Sequence, residues 1–316
     1  MKNKTLIGVC TAVYFVGATF CLGSDLPDID QPRPARSSRL ADAGCPLPQS
    51  PRLLAEQEGA PKQPEYIHII QDTVKEGRFP EYESLQVERA KALAAANWAR
   101  VSIGLKPMTG PAFEVLRISF FNSFEELANI TKELGENPAL GAKLKEIDQK
   151  ESLLLQSRLE IDARYRPKIS YHGDFNWADM RFMSIIKIHL IPGHGSEYSQ
   201  NRDIVIKAHN DAKLPENLAI YTINSGTLSS SYRILRPVTS LKGFDEMDAM
   251  HGDKYEAVLG KENQEKLHEL FAASVQTEEE EYFAFESRLS FTTPAWAGSN
   301  SAYWNSSCYW NSIAPK

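Results

Sequence analysis

The sequence predicts an α+β fold of two tandem units, each running strand, helix, strand, strand, helix, strand. Two observations carry this expectation. First, the stretch 66–124 returns in altered form at 182–244. Glu81-Tyr82 recurs as Glu197-Tyr198, 116 positions on, and Asn97-Trp98-Ala99 recurs as Asn217-Leu218-Ala219 at 120. Ser123-Phe124-Glu125-Glu126 and Gly243-Phe244-Asp245-Glu246 are also 120 apart, as are Ile169-Ser170-Tyr171 and Leu289-Ser290-Phe291. Second, apolar residues switch between alternation and a spacing of three to four in the same order in both copies. The offset changes by four between Tyr82 and Asn97, about one helical turn, which predicts an extra turn in that helix.

The first copy opens with the β-branched run 66–70, closed near Gly77. Phe79, Tyr82, Leu85, Val87, Ala90, Leu93 and Ala94 then mark an amphipathic helix ending near Asn97. Strands 98–105 and 113–121 follow, joined by a turn carrying Pro107, Gly110 and Pro111. Ser123, with Glu126 three residues on, is a capping-box start for a helical region reaching about Arg164 and interrupted at 135–138. A short strand, 168–171, closes the copy. In the second copy the corresponding elements are strand 183–191, helix 196–213, strands 218–224 and 232–238, helix 244–277 with breaks at Gly252 and Gly260, and strand 282–291. This is the split β-α-β order of a ferredoxin-like unit, twice.

With 316 residues, 42% apolar and 24% charged, the chain has material for a sizeable core. Its organisation reads as a leader (1–23), a Pro-rich linker (24–64), units at 65–173 and 181–294, and an aromatic tail (295–316). Lys2 and Lys4, the apolar run 6–20 and Gly23-Ser24 form a signal-peptide pattern, so export to the periplasm or beyond is expected. The run is shorter than the ~20 residues that span a bilayer, so no stable membrane insertion is expected after cleavage. Losing Lys2 and Lys4 would move the net charge from −6 to −8, which argues against nucleic acid as a partner. Cys45 and Cys308 would remain, either paired or as two thiols. A monomer or homodimer is expected.

Two such units, with Glu-Tyr on the first helix and a hairpin running into Ser-Phe-Glu-Glu or Gly-Phe-Asp-Glu, resemble the dimeric α/β-barrel superfamily. The look is nearest its NIPSNAP-type and antibiotic-biosynthesis-monooxygenase-type domains, over roughly 65–291. The resemblance implies two facing sheets that form one intramolecular α/β barrel around a pocket. It includes cofactor-free oxygenases, haem-degrading enzymes and isomerases, so it leaves the chemistry open.

If the helix-covered face of each sheet is the apolar one, alternation sends Tyr66, His68, Trp98, Arg100 and Arg117 into that barrel. Tyr66, Trp98, Arg100 and Arg117 are then expected ligand contacts. In the second copy Lys187 and His189 alternate with Ile186, Ile188 and Leu190 and are expected inward, although alignment through Glu197 sets Ser184 opposite His68 and gives the other parity. His194, on the turn 191–195, is placed at the mouth. The expected function is binding of a small anionic or aromatic molecule. The alternative is a cofactor-independent monooxygenase or isomerase, with His68 or His189 as base and Arg100 or Arg117 holding an oxyanion. A second alternative is a non-catalytic structural or interaction module with a packed interior, Arg100 and Arg117 being paired to acids such as Glu114 or Asp72. His189, His194, His209 and His251 lack the His-x-x-x-His spacing, so no metal site and no cofactor is expected.

Overall fold

Eight strands form one closed antiparallel barrel in the order β1-β3-β2-β8-β5-β7-β6-β4. The computed structural model describes residues 63–304. The leader, Cys45, Cys308, most of the 24–64 linker and the end of the tail lie outside the described residues. The first unit is β1 (Tyr66–Val74), α1 (Phe79–Ala95), β2 (Ser102–Pro107), β3 (Glu114–Phe121), α2 (Phe124–Glu136), α3 (Pro138–Leu154) and β4 (Leu155–Tyr165). The second is β5 (Phe182–Leu190), α4 (Gly195–Ala212), β6 (Ala219–Ser225), β7 (Ser231–Val238), α5 (Lys242–Met250), α6 (Glu256–Ser274) and β8 (Val275–Phe291). A π turn, His251–Tyr255, joins α5 to α6. The units meet at two seams, β2 against β8 and β4 against β6. No helix among the described residues is long and apolar enough to cross a membrane.

A local signal sets the start of α2. Ser123 accepts from the Glu126 N–H at 3.0 Å while the Glu126 carboxylate accepts from the N–H of Asn122, so α2 begins where its capping pair requires. Gly260 leaves helical geometry with φ 69° inside α6.

The closing strands differ from expectation. β4 begins at Leu155, and 168–171 supplies only a 3₁₀ turn and one isolated bridge, Tyr171 to Leu218. Leu155 and Leu159 stand four apart, as on one helix face, and the charged residues around them disguise a strand. β8 likewise starts at Val275 and absorbs the acidic run 278–281.

The extra turn expected in the first helix is also absent: α1 has 17 residues and α4 has 18. Ile103 pairs with Ile118 as Ala219 pairs with Leu235, offsets of 116 and 117. Only the last strands stand 120 apart, Ile67 facing Ala163 as Met183 faces Phe283. The added residues therefore lie in the helices between β7 and β8, where the π turn sits.

The barrel interior is a packed core. Ile67, Ile103, Ile118, Ile161, Met183, Tyr221, Leu235 and Phe283, one from each strand, belong to a single buried apolar cluster. Trp177 and Trp304 join it. Trp177 donates to Gln63 Oε1 at 2.7 Å and Trp304 to the Ala178 carbonyl at 2.8 Å. The segment between the units and the described part of the tail thus stopper one end of the barrel.

Closure brings backbones unusually near. A Cβ on Gly104 of β2 would stand 2.2 Å from Leu289 Cβ on β8. One on Gly226, which follows β6 at φ 95°, would stand 1.8 Å from the Glu160 carbonyl oxygen on β4. Each seam therefore holds a residue that tolerates no side chain. Gly104→Ala is expected to lower unfolding free energy by about 1–3 kcal/mol, as overpacking does. Urea titration followed by far-UV circular dichroism would read this as a lower midpoint at unchanged slope.

Candidate functional site

The enclosed face is the opposite one, in the first unit, from that expected. Ile67 and Ile69 point into the barrel cluster, so Tyr66 and His68 face out. An eight-stranded barrel is just wide enough for side chains to fill it. In the first unit the most apolar set therefore goes inside, and Asp72 and Arg117 lie on the outer face beneath the helices. Tyr66 stacks on Phe121 with ring centroids 5.0 Å apart. His68 Nδ1 lies 2.9 Å from Asp162 Oδ1, whose other oxygen accepts from Ser225. Trp98 and Arg100 precede β2 and lie on no strand. Arg100 binds Glu126 and Glu133 beside a surface groove of about 350 Å³.

Arg117 is buried between barrel and helices rather than in the barrel interior. It reaches Asp72 Oδ2 at 3.2 Å and Glu151 Oε1 at 3.4 Å, and both acids are fully buried. Arg158 clasps Asp72 with two bonds of 2.6 and 2.9 Å and Glu151 with one of 2.8 Å, Tyr82 donates to Asp72 at 2.8 Å, and Arg89 meets Glu151 at 2.9 Å. Burial pushes the Asp72 carboxyl up, but its bonds and charge contacts with Arg158 and Arg117 outweigh this and hold it below the usual range. The pairing of Arg117 with Asp72, raised above as the alternative to a ligand contact, is what the fold contains.

In the second unit Lys187 and His189 do continue the inward row of Met183 and Ile185, and Ser184 faces out as His68 does. The two parities therefore agree once the first is reversed. Lys187 Nζ lies 2.6 Å from Glu281 and 3.6 Å from Glu114, which accepts from Gln71 at 2.8 Å. This ion group fills the end of the interior away from Trp177. Burial pushes the Glu114 carboxyl up more strongly than Lys187 lowers it. His189 Nδ1 lies 3.0 Å from Ser231 Oγ, whose hydroxyl donates to the Leu228 carbonyl. That network makes Nδ1 the donor to Ser231. His194 stays on the turn into α4, 3.6 Å from Glu197. The barrel thus brings Lys187 and His189 to one end of its interior, and it brings neither near Arg100, Arg117, His68 or Trp98.

A second convergence lies under the helices of the second unit, and it includes Glu216, which sequence reasoning did not single out. His209 Nε2 and His251 Nε2 stand 2.6 and 2.7 Å from Glu216 Oε1. Burial alone would raise the Glu216 carboxyl, yet the two imidazoles hold it far below the usual range. The residues lie 7 and 35 positions apart, so no short motif announces them.

No family model matches the chain, and no curated protein does. Solved structures with a similar arrangement include a proposed monooxygenase from Fusobacterium nucleatum subsp. nucleatum, at 10% identity and a TM-score of 0.48, covering 71% of this chain and 93% of that one. An anthrone oxidase-like protein matches at 10% identity and a TM-score of 0.45, covering 70% and 92%. A mutant chlorite dismutase from Candidatus Nitrospira defluvii matches at 8% and 0.43, covering 72% and 94%. At such scores and identities the likeness identifies neither a shared site nor a shared activity.

The Asp72 network yields a signed pH dependence. Its folded pKa lies below the unfolded value of ~3.9, so its stabilisation is complete above that pH and is lost as pH falls through the folded value. Asp72→Asn is expected to cost about 3–5 kcal/mol at pH 7, the usual result of stranding a buried partner. Denaturant melts at descending pH would show the gap to the unsubstituted protein narrowing below pH ~4.

Proposed function

We propose that the chain is a non-catalytic structural or interaction module whose fused barrel serves as a rigid scaffold. The single observation behind this reading is the interior: side chains from all eight strands form one buried cluster, closed by Trp177 and Trp304. A ligand pocket needs a concave, pre-formed volume with a few convergent polar groups, and here the volume is taken by Ile, Leu, Phe and Met. On this reading the NIPSNAP-type and antibiotic-biosynthesis-monooxygenase-type likeness of the halves concerns their architecture and not a retained chemistry. The leader pattern at Lys2, Lys4 and 6–20 supports export, and the acidic balance supports a partner other than nucleic acid.

The rival oxygenase or isomerase reading requires a histidine and an arginine sharing one open pocket. His68 is held by Asp162 on the outer face, and Arg117 is engaged by Asp72 and Glu151. The remaining candidates, Lys187 and His189, sit with Glu114, Glu281 and Ser231 in a compact polar end of the core.

Thermal-shift measurements against aromatic acids, quinols and haem are expected to leave the melting temperature unchanged; a saturable rise with any of them would sink the reading. Ile118→Ala is expected to lower stability by about 2–5 kcal/mol, as for a filled core site. A near-neutral effect would instead mean that Ile118 borders an empty ligand chamber.

A further inference from the structure

The helix layer of the second unit holds an arrangement that the scaffold reading does not explain. His209 lies in the last turn of α4 and is 2% exposed; Glu216 is 4% exposed. After α4 the chain turns through Lys213 in the left-handed region, φ 52°, which returns Glu216 toward the end of the helix. His251 is the first residue of the π turn. Such turns are rare insertions that recur at functional sites. Here the turn lies within the helical stretch between β7 and β8 that holds the added residues distinguishing this unit from the first.

The hydrogen bonds of His209 fix its tautomer. His209 Nδ1 faces the Val205 carbonyl at 2.7 Å; a carbonyl only accepts, so Nδ1 holds the proton. In a neutral ring Nε2 is then a bare lone pair. That lone pair faces Glu216 Oε1 at 2.6 Å, off the ring's hydrogen-bonding direction, and Nε2 makes no directed hydrogen bond. Glu216 Oε2 is also buried and accepts no hydrogen bond; Arg236 Nη2 is 3.7 Å away, and that guanidinium shares its charge with Glu280. His251 Nε2 donates to the same Glu216 oxygen at 2.7 Å, a proton that metal binding would displace, while no directed hydrogen bond closes the contact of His209 Nε2 with Glu216, which leaves a place for a cation.

We infer that His209 Nε2, His251 Nε2 and Glu216 are the ligands of a divalent transition-metal ion of the zinc class, held as a structural ion between α4, the α4–β6 loop and the π turn. The three ligand atoms lie within 4.8 Å of one another. Two imidazoles and a carboxylate are a donor set that zinc takes, whereas magnesium and calcium want oxygen. Bonds of ~2.0–2.1 Å around a tetrahedral ion separate ligands by roughly 3.3 Å, so the 2.6 and 2.7 Å contacts open by well under 1 Å on binding. Each of the three residues offers one ligand atom, and the fourth position of such a site falls to solvent. The carbonyl on His209 Nδ1 fixes the ring as outer partners of zinc-bound histidines do. The end of α4 adds the negative pole of its dipole.

The first unit supplies a contrast. Arg100 stands 116 positions before Glu216, the offset of the strands that follow, and it meets Glu126 and Glu133. A paired cation in one copy thus corresponds to the proposed ion site in the other.

The full chain, dialysed against a chelator, tests the inference by titration with Zn²⁺, Co²⁺ and Mg²⁺. One equivalent of zinc is expected to bind and raise the melting temperature, Co²⁺ to give the visible spectrum of a nitrogen- and oxygen-bound tetrahedral site, and Mg²⁺ to give no shift. His251→Gln, at the least buried ligand, and Glu216→Gln are each expected to weaken zinc by more than ~100-fold, beyond the loss of a supporting partner. His268→Gln, at an exposed histidine of α6, should bind as before. If Glu216→Gln does not fold, His251→Gln decides. Absence of stoichiometric zinc binding, or binding undiminished in His251→Gln, overturns the inference. The scaffold reading is tested separately, since it concerns organic ligands and the barrel interior.

Discussion

Closing eight strands into a ring is the constraint from which the rest of this structure follows. The ring leaves an interior that side chains can fill and that water does not need to enter. Burial of Ile67, Ile103, Ile118, Phe283 and their neighbours there contributes the main apolar term of the fold. Closure also demands that the two seams approach tightly, and Gly104 and Gly226 mark where backbone or Cβ of the other unit occupies the space of a side chain.

Filling the ring with apolar residues displaces polar ones to the outer face, where helices cover them. The two units answer that burial differently. In the first, Asp72 and Glu151 are surrounded by Arg89, Arg117 and Arg158, a network whose charges must stay together because each would be expensive alone. In the second, Glu216 meets two histidines and an arginine, with fewer directed bonds and orphaned acceptors. One duplicated frame has thus acquired two distinct electrostatic interiors, both beneath helices and neither inside the barrel.

Much of the frame was legible. The duplication, the order of elements, the Ser123 cap and the irregularities at Gly252 and Gly260 are local features that a stretch expresses through its own spacing. The strand starts of β4 and β8 were not, because the four-residue step from Leu155 to Leu159 fits a helical period as well as a strand, and the acids 278–281 lower strand propensity without forbidding pairing. Lys187 and His189 were placed correctly, since Ile186, Ile188 and Leu190 belong to an outer face that is itself apolar under its helices.

The residues alone determined that two βαββαβ units lie in tandem and that each strand has two unlike faces, because periodicity is written within the segment. Which face became the enclosed one was decided only by closure. Alternation distinguishes two sides without saying which side meets another sheet, and that choice turned Tyr66, His68 and Arg117 outward. The meeting of His209, Glu216 and His251 was likewise decided by tertiary packing, since it depends on a helix end, a left-handed turn and a π turn being stacked at one point in space.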